Sequence, residues 1–311
     1  MATPADIRIY CARIADDIGP NTMNGHQGTD ANIGLPSYNN FLINNIIFHE
    51  LNFDSLLTAI TCLTKSLLIN KQIQLITPDH IFLWSWCADL TLSMNPAYFL
   101  STEQELRNLF RTCSFASISN HGYDYEQPRS IRDNNARNFA SKGALCLSYL
   151  GFPLLEAILR KECPTYLDKD GTVLTSFSTL KGPPYIPNNK QKCSSLGAVL
   201  KLFVEIVADS QLKDLLNELL DGIKITHGNS NPYEEIFNWR NQTLHGEAGD
   251  QIIGGTIFGI SLLIAIYGIK DRFEALRKFS IDACKHWNID PTQRCFSLYP
   301  PNGIWPTPSS D

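Results

Sequence analysis

The sequence predicts a mainly α-helical protein. Three observations point that way: apolar residues recur at helical spacing through most of the chain, helix-start residues precede those stretches, and one short segment alone carries hairpin chemistry. Leu56, Leu57, Ile60, Leu63, Leu67 and Leu68 mark a first amphipathic helix over Phe53 to Leu68, with Asp54 as a reasonable cap. Pro78-Asp79 opens a second apolar segment through Trp84, Trp86 and Leu90, a pair of aromatic rings suited to a core. Ser101-Thr102-Glu103-Gln104 opens a third.

Before these helices, the glycine- and asparagine-rich stretch Gly19 to Asn40 reads as loop, so His26 is expected in solvent. The polar run His121 to Asn135, interrupted by Pro128, reads as an exposed connection or a boundary. It divides an additional, mostly helical N-terminal region (1–130) of no assigned role from a helical domain (131–290), which a proline-rich C-terminal tail (291–311) follows.

The second part is more regularly helical. Ala136 to Lys161 carries apolar faces through Leu147, Leu154, Leu155 and Ile158, and Pro153 inside it predicts either one bent helix or two. An insertion, 163–193, contains the turn Asp170-Gly171 and suggests a short β-hairpin followed by a proline- and lysine-rich loop. Asp168 and Asp170 hint at a calcium loop, but Tyr166 and Phe177 stand where further oxygen ligands are required, so calcium is rejected. Ser194-Ser195 begins the next amphipathic stretch, Ser210 is a natural cap within it, and Asn231-Pro232 starts another helix with Glu234 and Glu235 in its first turn. A last helix is expected over Asp271 to Trp287.

Composition excludes several classes. Hydrophobic residues make up 43% and charged residues 18% of the 311, with a formal charge of -5, so neither disorder nor a global attraction to phosphate or anionic lipid is expected. The nine cysteines are odd in number and widely spread, which suits reduced thiols in a cytoplasm. No Cys-x-x-Cys pair exists, and Cys284-Lys285-His286 lacks a second pair, so neither a structural metal nor a cofactor is expected. The first ten residues do not read as a signal peptide. Ile252 to Ile269 is uncharged and reaches the lower length of a bilayer span, roughly 17–25 residues. Its four glycines and its Thr256, Ser261 and Tyr267 favour a buried helix closely approached by a neighbour, with no membrane partner.

The segment with chemical promise is Trp239-Arg240-Asn241-Gln242-Thr243-Leu244-His245-Gly246. Arg240 offers a fixed cation for a phosphate, and His245 a proton carrier near neutral pH. Together they suit RNA, whose 2′-hydroxyl supplies its own nucleophile without a metal. Spacing alone is uninformative: arginine and histidine frequencies in this chain give roughly one such pair by chance. Five residues along a helix also separate the two side chains by about 140°. Either the helix ends at Gly246, a suitable C-terminal position, or two protomers combine their pairs across a two-fold axis. The plain structural alternative has Arg240 paired with Glu235 or Glu247 and His245 answering the helix dipole. Asn241-Gln242-Thr243 also fits a glycosylation sequon, which is set aside because nothing directs export.

Trp239-Arg240-Asn241-x-x-Leu244-His245-Gly246-Glu247, with a helix before it and an apolar helix after it, resembles the arginine–histidine motif of HEPN domains. Pro153-Leu154-Leu155-Glu156-Ala157-Ile158-Leu159 resembles the early HEPN helix that carries a glutamate toward the site, and the likeness covers roughly Ala136 to Trp287. It implies a helical bundle of HEPN type in the C-terminal half, with Arg240 and His245 as the catalytic pair and Asn241 and Glu156 in support. It further implies a metal-independent endoribonuclease of a toxin or phage-defence system, dimeric, with RNA and an antitoxin or other protein as partners. Some members of that family instead are non-catalytic modules that bind a protein or nucleotide. Arg129, Arg132, Arg137 and Lys142 form the best basic patch for RNA.

Overall fold

The computed structural model describes residues 2–11, 41, 46–69, 76, 78–92, 94, 96–121, 142–187, 192–246 and 251–289. The Gly19 to Asn40 stretch with His26, the connection that includes Arg129, Arg132 and Arg137, Glu247, and the proline-rich tail lie outside the described residues.

The described chain is mainly helical. After a helical segment over 4–11 come α1 (Phe53–Ile69), α2 (Pro78–Leu92), α3 (Gln104–His121) and α4 (Gly143–Glu162). They are followed by α5 (Leu196–Leu202), α6 (Ser210–Thr226), α7 (Pro232–Leu244), α8 (Gln251–Tyr267) and α9 (Phe273–Ile289). The starts show the local chemistry at work. Asn52 accepts the Ser55 N–H at 2.8 Å, so the cap of α1 is Asn52, and Asp54 sits inside the first turn. Asp209, extended at φ -68° and ψ 172°, accepts the Leu212 N–H and caps α6 in place of the expected Ser210. Ser195 caps α5 as its sequence suggests.

Pro153 does not divide α4, which runs unbroken from Gly143 to Glu162. The proline lies on the exposed side of the helix, where water can meet the carbonyl that it leaves without a donor. The 163–193 insertion forms isolated antiparallel bridges, Leu167 with Val173, Thr172 with Lys192 and Phe177 with Tyr185, and no ladder among its described residues. Gly171, at φ 84°, makes the tight reversal that the Asp170-Gly171 pair suggested. Cys163, Leu167, Val173, Phe177 and Cys193 point inward and fasten this irregular segment to the core.

The central helix is α8, buried along nearly its whole length between α4, α1 and α2. Its glycines explain the close approach: a Cβ at Gly254 would come within 2.9 Å of the Ser148 backbone nitrogen and 3.0 Å of the Ala144 carbonyl on α4. At Gly259 a Cβ would overlap Thr64 on α1. By length and composition α4 is apolar enough for a bilayer span, and it packs here on α3 and α8. Buried side chains from α1–α3 and from α4–α9 belong to one continuous core, so the division expected near residue 130 separates no two hydrophobic cores.

Candidate functional site

The site is organised by α7. Asn231 accepts the Tyr233 N–H at 3.1 Å, Pro232 supplies the first helical residue, and Glu234 and Glu235 lie in the favourable first turn. Ile236, Trp239 and Thr243 turn inward, which packs α7 against α4, α5 and α6. The start of α7 sits directly on α5 because Gly197 has no side chain: a Cβ there would strike the Tyr233 carbonyl. This packing fixes the face on which Arg240 emerges.

Arg240, next to the buried Trp239, reaches α4, where its Nη2 stands 3.8 Å from Glu156 Oε2. The other Glu156 oxygen accepts from Arg160, one turn further along α4. Arg160 also donates to the Cys193 carbonyl at 3.3 Å and the Lys169 carbonyl at 3.5 Å, which ties the insertion to the same carboxylate. Side-chain exposures of 15% for Glu156, 21% for Arg160 and 28% for Arg240 make this a partly desolvated group. One carboxylate serves two guanidinium groups, leaving one positive charge in excess. Among the described residues, the buried Arg160 Nε has no hydrogen-bond partner.

His245 is the residue at which α7 stops. With φ -90° and ψ 0° it caps the helix, its N–H donating to the Asn241 carbonyl at 3.0 Å. Gly246 follows at φ 76°, where its N–H meets the Thr243 carbonyl at 2.9 Å, so the glycine provides the left-handed exit expected of that position. The imidazole is exposed, and among the described residues neither a hydrogen bond nor an ion pair joins it to Arg240. Asn241 is half-buried, and among the described residues the buried Thr243 hydroxyl has no hydrogen-bond partner.

Thus Arg240 and Glu156 come together, and His245 remains in solvent at the helix end. Lys142, an exposed residue at the start of α4, lies about 21 Å along that helix from Glu156. Of the two plain alternatives for Arg240, Glu247 lies outside the described residues and Glu235 is turned elsewhere. Glu235 instead faces His227, whose Nδ1 is 3.3 Å from Glu235 Oε1 and whose ring meets Trp239 edge-on at 5.2 Å. Neither His227 nor Arg160 stands out in the sequence. An arginine four residues after Glu156 on one helix was the available signal for the second. Among the described residues, no three His, Cys, Asp or Glu side chains group closely enough to hold a metal.

No family model matches the chain, and no curated protein and no solved structure matches it. The site therefore rests on its own geometry: two arginines, one on α4 and one on α7, braced by one carboxylate, and an exposed imidazole at the end of α7.

Proposed function

We propose that this protein is a metal-independent endoribonuclease of HEPN type that acts as a homodimer, with Arg240 and His245 as its catalytic residues. The observation that carries the reading is the anchoring of Arg240 on Glu156 with His245 exposed at the end of α7. In such a site a histidine takes the proton of a ribose 2′-hydroxyl, the 2′-oxygen bonds to phosphorus, and the bond to the 5′-oxygen breaks. A second imidazole returns a proton to the leaving 5′-oxygen, giving a 2′,3′-cyclic phosphate and a 5′-hydroxyl end. Arg240 stabilises the charge that gathers on phosphorus-bound oxygens.

Two-fold pairing supports this division of labour, because it supplies two imidazoles and relieves the separation of Arg240 and His245 around one helix. Leu244, 55% exposed beside His245, offers an apolar contact for the second copy. Asn241 orients the pair, and Lys142 with Arg129, Arg132 and Arg137 supplies further RNA contacts. An antitoxin or other protein that covers α7 would restrain such an enzyme in a toxin or phage-defence system, and a cytoplasmic setting suits that role.

Digestion of single-stranded RNA in excess chelator tests the reading. Cleavage by the wild-type chain, lost in Arg240→Ala and His245→Ala variants that keep their helical circular dichroism, is the expected result. Cleavage that persists in both variants would rule the assignment out.

A further inference from the structure

A cavity of about 620 Å³ opens between α3 and α4, and Glu156 and Arg160 form part of its wall. Its floor is apolar, from Leu106 and Leu109 on α3 and Pro153 and Ala157 on α4. That size falls in the roughly 300–1,000 Å³ range of small-molecule sites. Its charges are unequal in availability. Lys161 is neutralised by Glu103 at 2.8 Å, and the exposed Glu105 and Lys169 add one charge of each sign to the wall. Arg160 and Arg240 divide the single charge of Glu156, so the surplus positive charge lies at the Glu156 end of the cavity.

We infer that this cavity binds a small molecule with an apolar body and one anionic group, the body lying on Leu106, Leu109 and Pro153 and the anion meeting Arg160. Occupancy reaches the candidate site through Glu156. An anion that draws Arg160 away leaves that carboxylate to Arg240 alone and holds the arginine more firmly on α4. The coupling is reciprocal by linkage, so removing Arg240 must change affinity in the cavity although Arg240 is not part of its wall. With Arg240 gone, Glu156 holds Arg160 alone and competes better with the ligand's anion.

The probe is 8-anilinonaphthalene-1-sulfonate, an aromatic monoanion, titrated by fluorescence into the full chain. One saturable site per chain is expected. Leu109→Trp, which fills the cavity, should weaken binding at least tenfold. Lys169→Glu, an exposed change that leaves packing untouched, should weaken it about threefold, and Arg240→Ala two- to fivefold. Thermal melting of each variant separates loss of the site from loss of the fold. No saturable binding, or affinity unchanged in Leu109→Trp and Lys169→Glu, overturns the site. Affinity unchanged in Arg240→Ala alone overturns the link to Arg240. None of these readings depends on RNA cleavage, so they stand or fall apart from the proposed activity.

Discussion

Glu156 on α4 holds Arg240 on α7 at 3.8 Å while its second oxygen holds Arg160, so the two helices and the 163–193 insertion meet at one carboxylate. Removing that charge leaves two partly buried guanidinium groups to repel each other. Glu156→Gln should therefore destabilise the fold by about 1–3 kcal/mol in urea denaturation. Arg240→Ala should cost less in the Glu156→Gln background than in the wild type, and equal costs in the two backgrounds would deny the coupling.

The contact between α8 and α4 is tested at Gly254. A methyl group there meets backbone atoms of Ser148 and Ala144, which cannot turn aside as a side chain would. Gly254→Ala should lower stability by about 1–3 kcal/mol through overpacking, although alanine is the better helix former. A stability equal to or above wild type would show that the helices separate easily.

Stability should also fall with pH because of a histidine remote from the site. Burial holds the His80 pKa down to about 4, while its Nε2 lies 2.9 Å from the Leu63 carbonyl. The unfolded chain takes up this proton below its ordinary value near 6.5 and the folded chain does not until about 4. The contribution of neutral His80 is thus complete above about pH 6.5 and is lost progressively toward pH 4. Between pH 7 and 4.5, His80→Gln, which keeps an N–H for Leu63, should lose about 2 kcal/mol less than wild type. Parallel losses in the two proteins would contradict it.

Much of the fold is legible in the sequence because it rests on local rules. Asn231-Pro232 starts α7, Ser195 starts α5, Gly246 ends α7, and the glycines of α8 admit α4 and α1. What is not legible depends on distant partners. Whether Pro153 divides a helix depends on which side faces solvent, and the hairpin expected around Asp170-Gly171 reduces to isolated bridges. Periodicity in either half of the chain gives no sign that both halves share one core. At the site, the resemblance groups Arg240, His245, Asn241 and Glu156. The Glu156–Arg160 pair is available from spacing along α4, but that Glu156 also holds Arg240, and that Glu235 belongs to His227, follows only from how α4, α6 and α7 pack.

Self-association is tested by Leu244. Sedimentation of the wild-type chain should give twice the 34.9 kDa chain mass, and Leu244→Asp, exposed and costing the fold little, should shift it toward a single chain. RNA cleavage should fall in step. A wild-type chain of single mass at all concentrations would remove the two-fold site.

The central claim is tested most directly by an oligodeoxynucleotide with one ribonucleotide, incubated with the protein in excess chelator, its products read by mass spectrometry. A cut only after the ribonucleotide, ending in a 2′,3′-cyclic phosphate and absent with His245→Ala, is the predicted result. Cutting of an all-deoxy strand, or cyclic phosphate formed undiminished by His245→Ala, would contradict it.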